Sequence, residues 1–566
     1  MTFEKIIIKN FRNFKEISIS LTNKNIFFGL NDVGKTNFMY ALRFILDKEV
    51  RKQNFIASDY HCMNVNKEIE MILQIDISDL KNEDSQKLRA KMNGALLSED
   101  KKVYIKLIGK YNKEETIGIP ILFWGGNLEK LQEMKQKSFY YDLDSVINLV
   151  YIDSYVDLYG FFKKNINKLI KNNNENDEVI RRKIEKSSKS INDSISLLSG
   201  VEKFQNKINP EYKKFCIRNE NVSIIIKSER SIKGLFSDMI PYIKLDGDEK
   251  LYPTSGEGRK KLLAYSIYDL LANEVSEKRI NIFLIEEPEN HLHKSMQIAL
   301  SKILFDHERY KYMFISTHSP YILHEMDNVN LIRIYNDNKV NTASSLYEVT
   351  EEYNKVKRIL NKNLAEAIFS DKVLLVEGDS EIVLFDKILS MKNAFYEAKG
   401  IYILSVKGIG FTKYYQILKK LKINCIVKTD NDLQQKSNDG KYSVMSFFRC
   451  NKLVGKKILP VDRIQENSII SKRNLYDENK IELDKIRVKN KIFLSKVDLE
   501  NDLAEALNNR LSECLLNRSN SNEEAIKFLQ NAKRNNMVKL IEKLEDKDYE
   551  QIYNHYNFEC LKEMIE

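Results

Sequence analysis

The stretch Asn25-Ile-Phe-Phe-Gly29-Leu-Asn31-Asp-Val-Gly34-Lys35-Thr36-Asn37 runs an apolar strand straight into Gly-x4-Gly-Lys-Thr. The chemistry of these residue types points to a polyphosphate. Glycines let backbone N–H groups turn toward an anion, the lysine reaches the β and γ phosphates, and the threonine hydroxyl can ligate Mg²⁺. The segment from Asn37 to Lys48 reads as a helix, so its N-terminal dipole also faces the anion. A glycine-rich turn that only caps a helix is disfavoured by the strand before and the helix after. Gly29, Asn31, Gly34, Lys35, Thr36 and Asn37 are therefore candidates for binding a nucleotide such as ATP.

Around this segment lies a chain of 566 residues, enough for roughly three to four domain-sized units, and 43% hydrophobic residues can bury a core. A formal net charge of +10, with 30% charged residues, favours a polyanionic partner. Lysine, asparagine and isoleucine are abundant throughout, so part of that basicity is compositional. The six cysteines, Cys62, Cys216, Cys425, Cys450, Cys514 and Cys560, form no C-x-x-C pair and read as reduced thiols. The opening Met1 to Asn10 alternates like a first strand, and no run of 18 apolar residues occurs. The expectation is a cytoplasmic protein with no membrane partner.

Two further apolar strands end in chemistry. Asn281-Ile-Phe-Leu-Ile-Glu286-Glu287-Pro is a Walker B pattern, in which Glu286 would hold Mg²⁺ through water and Glu287 would polarise the attacking water. Most phosphate-loop proteins carry Asp at the first of these positions. Tyr312-Met-Phe-Ile-Ser-Thr-His318 ends in a histidine placed to sense a γ phosphate. Between the phosphate loop and these strands, Thr254-Ser255-Gly256-Glu-Gly258-Arg259 opens a helix with a hydroxyl and backbone donors. It resembles the ABC signature, with Ser255, Gly256 and Gly258 as the nucleotide-facing residues. In this order, the elements resemble ABC/SMC-type ATPase heads over roughly residues 1–340. The resemblance implies a dimer, because there the signature of one subunit completes the phosphate-loop site of another. His291 and His293 suggest no zinc, since positions i and i+2 diverge on a helix and no cysteine is near.

The ATPase pattern is interrupted. Lys171-Asn-Asn-Asn-Glu-Asn-Asp-Glu178 is a polar tract, followed by Ile180, Ile184, Ile191, Ile195, Leu198 and Val201 at mostly helical spacing. This predicts a helical insertion whose stripe packs on the parent domain or mediates self-association. The pattern resumes near Val222 and ends around Lys339, and a charged helical connector spans Glu351 to Phe369. The expected division is an ATPase N-terminal part over 1–152, an insertion over 153–222, the ATPase C-terminal part over 223–345 and a second α/β domain over 346–566.

That second domain is acidic at its strand ends. Val373-Leu-Leu-Val-Glu377-Gly-Asp-Ser-Glu381 is a strand, a glycine turn and a helix that starts with acid, so Glu377 and Glu381 can face one cation. Asn424-Cys-Ile-Val-Lys-Thr-Asp430-Asn-Asp432 ends a later strand in Asp-x-Asp, whose alternation puts both acids on one side. Carboxylates without His or Cys select hard cations, Mg²⁺ or Mn²⁺. The pattern resembles the Toprim fold. Downstream, Asp498-Leu-Glu500-Asn-Asp502 opens another helix, where such acids also favour the dipole, and Lys533 follows in Gln530-Asn-Ala-Lys533.

An ABC-type ATPase followed by Toprim and these elements resembles the OLD-family (overcoming lysogenization defect) nucleases, most closely those of Gabija antiphage systems. Specific echoes are Asn10-Phe-Arg-Asn-Phe14, the segment Gly29 to Phe38, Glu286-Glu-Pro-Glu289, Val376-Glu-Gly378, Lys428-Thr-Asp-Asn-Asp432 and Asp498 to Asp502. The resemblance implies an α/β multidomain endonuclease acting on double-stranded DNA. It implies two metal ions held by Glu377, Glu381, Asp430, Asp432, Glu500 and Asp502, with Lys533 stabilising the phosphate in flight. It also implies nucleotide control of cutting, a homo-oligomer from dimer to tetramer, and a UvrD-like helicase partner. Topoisomerases and primases also carry Toprim, but no tyrosine-bearing cleavage domain or zinc module is evident here. The non-enzymatic rival is an SMC-like DNA clamp or repair ATPase whose Toprim domain does not cut.

Overall fold

The computed structural model describes the chain except for residues 30–32, 93, 98, 138–139, 156–159, 161, 163–198, 216–221, 229–238, 248, 254–255, 276–277, 408–409 and 436–439. The insertion stripe Ile184, Ile191, Ile195 and Leu198 lies outside the described residues, as do Asn31 and Ser255. The chain divides into two units, Met1–Val349 and Thr350–Glu566.

In the first unit, two sheets share a core. Strands Thr2–Phe11 and Phe14–Ser20 form a hairpin, and Ile69–Asp76, Lys102–Asn112 and Ile117–Gly125 extend it as an antiparallel sheet. The alternation read at the start of the chain has its cause in this pairing. Ile6 lies opposite Ile19 and Ile8 opposite Ile17, all four buried on one face. The second sheet has the order Ile147–Ile152, Ile280–Glu286, Met313–Ser316, Lys24–Phe28, Val329–Asp337 and Lys339–Tyr347. Its first five strands are parallel, and the last pairs antiparallel with its neighbour. That edge strand carries the sheet past the end expected near Lys339. Its sequence, Lys339-Val-Asn-Thr-Ala-Ser-Ser-Leu-Tyr347, is too polar to read as a buried strand.

Neighbouring strands place the motifs together. The phosphate-loop strand lies between the strand leading to His318 and Val329–Asp337, and the Walker B strand lies one further along. Parallel strands present their carboxyl ends on one edge, where α/β sheets bind ligands. Phe27 and Phe38, before and after the loop, pack with ring centroids 4.3 Å apart, so strand and helix Lys35–Leu46 hold the loop from both ends.

The second unit opens with a 3₁₀ turn, Glu351–Val356, and the helix Lys357–Ile368. Its sheet is fully parallel, in the order Ile401–Ser405, Lys372–Val376, Asn424–Thr429 and Ile492–Leu494. The C-terminal helices complete its core. Leu374, Phe385, Leu503, Met537 and Phe558 are all fully buried in one cluster. The segments carrying Glu500 and Lys533 are therefore integral to this unit. Among the described residues, no helix is long and apolar enough to cross a membrane.

Candidate functional site

The nucleotide loop is braced by amides. Gly29 has φ +151°, and a Cβ there would stand 2.2 Å from the Ile334 carbonyl oxygen. Gly34, at φ +111°, would collide with the Asn13 amide at 2.1 Å. Asn13 Nδ2 donates to the Val33 carbonyl at 2.8 Å, and Asn37 Nδ2 donates to Asn13 Oδ1 at 3.0 Å. Arg12 then donates to Asn37 Oδ1 at 3.0 Å and to Asp59 at 2.9 Å. Asn37, expected to face the nucleotide, is thus part of the bracket that holds the loop. Lys35 is buried with Nζ donating to the Gly29 carbonyl at 2.8 Å, while Thr36 is exposed at the helix start.

Opposite the loop are the acids and the histidine. Burial, and then the Asp153 charge, push the Glu286 carboxyl up to about 7. Its Oε1 is buried without a hydrogen-bond partner, an orphaned acceptor of the kind a hydrated cation satisfies. Glu287 has φ +42°, a left-handed conformation that costs a non-glycine residue about 1–3 kcal/mol. That conformation is held from several sides. The Glu287 amide donates to the Ser316 carbonyl at 2.8 Å, Asn290 donates to its Oε2 at 2.7 Å, and Lys261 Nζ donates to its carbonyl at 2.7 Å. His318 Nε2 lies 3.9 Å from Glu287 Oε1. Burial, and then the Lys35 charge, lower the proton affinity of His318, so it stands in the field of the loop lysine. Glu289 accepts from Thr317 Oγ1 at 2.8 Å and from the His318 amide at 2.7 Å, which fixes the histidine's backbone. Gly256 is exposed before the helix Glu257–Val275. A Cβ at Gly258 would stand 2.9 Å from the His291 carbonyl, so Gly258 serves close packing.

In the second unit the acids gather at the carboxyl ends of the parallel strands. Asp430 is buried, and burial together with Glu377, Glu381, Asp498 and Glu500 holds its carboxyl well above the usual range. Glu381 is raised by burial and by Glu377, although backbone N–H groups of the helix start partly oppose this. Glu500 is pushed up to about 7 by burial and then by Asp498. Lys533 faces the same group. Burial works against its charge, but Glu500, Asp430, Glu381 and Asp498 outweigh it and raise its proton affinity. This donor set, all carboxylate, suits hard divalent cations in kind.

Three of the six expected ligands are paired with basic side chains. Asp502 is fully buried, and its Oδ2 accepts from the equally buried Lys428 Nζ at 2.6 Å. Asp498, which the sequence reading did not include as a ligand, is among the charges that act on Asp430, and the Ser495 hydroxyl lies between Asp430 and Asp502. Asp502 Oδ2 is taken by Lys428 while its Oδ1 is buried without a hydrogen-bond partner, and Asp498 caps the helix Leu499–Leu507 by accepting from the Asn501 amide at 2.9 Å. Asp432 accepts from Arg449 at 2.7 Å, and the same guanidinium donates to Glu377 at 2.6 Å. Among the described residues, no group of three His, Cys, Asp or Glu side chains converges closely enough to hold a metal ion.

The contacts of Arg449, Lys261 and Lys428 are not legible in the sequence, although Lys428 stands in one of its echoes, because each acts on a partner distant in the chain or on a backbone atom. Arg12 and Asn13 stand in the Asn10 to Phe14 echo, but only the fold shows that they brace the phosphate loop.

Comparison with known proteins matches both halves. The OLD-like TOPRIM domain model (overcoming lysogenization defect protein-like) matches residues 368–432, and an AAA ATPase domain model matches residues 1–190 and 126–323. "Endonuclease GajA" of Bacillus cereus (strain VD045) is 44% identical over 581 residues, covering 100% of this chain and 99% of that protein. "Old nuclease" of Escherichia phage P2 is 24% identical over 468 residues, covering 75% of this chain and 76% of that one. Among solved structures, the Smc head domain derived from Pyrococcus furiosus, bound to the C-terminal domain of ScpA, covers 64% of this chain and 99% of its own at TM-score 0.38 and 16% identity. With an ATPase region followed by a TOPRIM domain and full-length identity of this order, the chain belongs to the GajA family of OLD-like nucleases.

Proposed function

We propose that this protein is a divalent-metal-dependent endonuclease that cuts or nicks double-stranded DNA under the control of nucleotide bound to its ATPase region, in antiphage defence. The observation that carries the chemistry is the acidic strand end where the Asp430 amide and Thr429 hydroxyl both donate to Glu377, with buried Asp430 held well above the usual carboxyl range by burial and by Glu377, Glu381, Asp498 and Glu500. So much negative charge at the carboxyl edge of a parallel sheet destabilises itself unless cations share it. Bound Mg²⁺ or Mn²⁺, two ions in this reading, would supply an activated water and neutralise charge at the scissile phosphate. Glu377, Glu381, Asp430 and Glu500, with Asp432 once free of Arg449, would hold them. Lys533 supplies a fixed positive charge for the pentavalent phosphate, and the net charge of +10 suits a DNA partner. Asp502 is assigned to the buried pair with Lys428.

In the ATPase region, Gly29, Gly34, Lys35 and Thr36 would bind the phosphates of ATP, Glu286 the Mg²⁺ shell, and Glu287 with His318 the γ-phosphate end. A partner copy would contribute the Ser255 to Gly258 segment, which makes the working state a dimer or tetramer. Membership in the GajA family supports cytoplasmic action beside a UvrD-like helicase. The test is incubation of purified protein with supercoiled plasmid in Mg²⁺, with and without ATP. Nicked or linear product that EDTA abolishes is the expected result. Metal-independent inertness with retained DNA binding would favour the clamp reading.

A further inference from the structure

Arg449 touches two of the candidate ligands at once. It lies on the helix Met445–Val454, and its NH1 donates to Glu377 Oε1 at 2.6 Å while NH2 donates to Asp432 Oδ2 at 2.7 Å. The same Glu377 oxygen accepts from the Thr429 hydroxyl at 2.7 Å and the Asp430 amide at 3.0 Å, so its lone pairs are fully used. The guanidinium carbon lies 5.3 Å from the Phe411 ring centre. The helix itself is stitched to the acidic loop. The Met445 amide donates to the Asp432 carbonyl at 3.0 Å, and the Ser446 hydroxyl donates to Asn431 Oδ1 at 2.7 Å. Asn431 in turn donates to the Lys472 and Lys496 carbonyls, both at 3.0 Å. Arg449 and the acids are therefore fixed by their backbones to meet, and only side-chain motion can part them.

A carboxylate oxygen saturated by a guanidinium and two further donors cannot also ligate a cation. We propose that Arg449 is an internal counter-cation that competes with the divalent ion for Glu377 and Asp432 and so sets the metal concentration at which the acid site fills. This rests on the reading of those acids as metal ligands. The arrangement suits exchange more than structural support. The Arg449 side chain is 22% exposed and that of Asp432 42%, so both can part into water, whereas the Lys428–Asp502 pair is 3% and 1% exposed. Competition is reciprocal: whatever strengthens the Arg449 bridge weakens metal binding by the same factor.

The test is Mn²⁺ titration of the full chain without DNA or nucleotide, followed by electron paramagnetic resonance of the free ion. Arg449→Gln is expected to bind Mn²⁺ tighter by about tenfold. Arg449→Lys, which keeps the charge but cannot bridge two carboxylates with a planar fork, should fall between. In a Glu377→Gln background the gain from Arg449→Gln should shrink, because one competed ligand is gone. Lys407→Gln removes a nearby charge that pairs with Asp379 instead and should change affinity little. Unchanged or weaker Mn²⁺ binding in both Arg449 variants, or an equal gain in Lys407→Gln, overturns the proposal while leaving the metal reading in place. Absence of millimolar Mn²⁺ binding in the parent and in Arg449→Gln alike overturns both. Should Arg449→Gln fail to fold, Arg449→Lys carries the same test.

Discussion

The two sites keep their positive charges on different atoms. In the ATPase unit, Lys35 donates to the Gly29 carbonyl, and Lys261 to the Glu287 and Ser154 carbonyls. In the TOPRIM unit, Arg449 rests on Glu377 and Asp432, and Lys428 on Asp502. Lys261, held by two neutral carbonyls, strands no carboxylate if it moves. A cation on a buried carboxylate, as Lys428 is on Asp502, cannot leave until another cation takes its place, because an unpaired buried carboxylate is costly, whereas the partly exposed Arg449 pairs can exchange. The first site thus holds its loop through backbone and amide contacts, while in the second the proposed metal ligands Glu377 and Asp432 are already paired with a cation.

The largest expected effect tests whether the acids are ligands at all. Glu377→Gln should cut supercoiled plasmid more slowly by about 10²-fold or more, at a melting temperature close to the parent's, since the amide can still accept from Thr429 and Asp430. Full activity in Mg²⁺ would remove Glu377 from the site. Lys533→Ala should slow cutting with little change in Mn²⁺ affinity, since it contributes charge to the phosphate and none to the metal. An unchanged rate would make Lys533 an ordinary exposed lysine.

Asp502 marks the sharpest boundary within the acid site. As half of a buried ion pair, Asp502→Asn leaves the Lys428 ammonium uncompensated and should cost about 3–5 kcal/mol in denaturant unfolding. Replacing both, with Lys428→Met and Asp502→Leu, should recover most of that loss. Undiminished stability in Asp502→Asn with loss of Mn²⁺ binding would instead make Asp502 a ligand.

Nucleotide control requires that ATP bind two conformations unequally. Lys35 holds phosphates, whereas Glu287 acts at hydrolysis, so their substitutions separate occupancy from turnover. If bound ATP restrains cutting, Lys35→Ala should nick DNA even in abundant ATP, while Glu287→Gln should stay inhibited. Initial nicking rates across an ATP titration, with Mg²⁺ in excess so that chelation cannot imitate inhibition, decide the matter. Loss of cutting in a folded, DNA-binding Lys35→Ala would favour a hydrolysis-driven nuclease.

Much of this was legible in the chain because both modules place chemistry at the ends of apolar strands. Phe28 into Gly29, Ile285 into Glu286 and Val376 into Glu377 are each a buried run followed by a functional group, a pattern local sequence reveals. Contacts made across the sheet edges were not legible. Arg449 reaches Glu377 across 72 positions, and Asn13 meets Val33 across 20. The pairing of Asp502 was hidden for a related reason. An acidic run at a helix start shows charge, but which acid faces the sheet edge depends on how the helix docks, and Lys428, on the inward side of its own strand, claims Asp502.

The smallest effect tests the carbonyl-bound lysine of the ATPase unit. Lys261 is 2% exposed, and burial lowers its proton affinity to about 8 from 10.5 despite the opposing charges of Glu289, Glu287 and Asp153. Below about pH 8 it is charged in both folded and unfolded chains, and the fold carries the full cost of burying that charge. Between about 8 and 10.5 the unfolded chain binds the proton more tightly, so unfolding free energy rises with pH and the cost is relieved. Lys261→Met removes this slope. The stability of the parent relative to Lys261→Met should therefore increase across that window, read from urea midpoints of the two proteins at matched pH, which cancels the other titrating groups. At neutral pH the variant should be nearly as stable as the parent, because the lost hydrogen bonds are offset by the lost burial of charge. It should nevertheless hydrolyse ATP more slowly wherever the parent does so, since the Glu287 backbone at φ +42° loses one of its restraints. A flat stability difference from pH 8 to 10.5 would mean that Lys261 reaches water after all, and that the two units do not differ in how they house an internal charge.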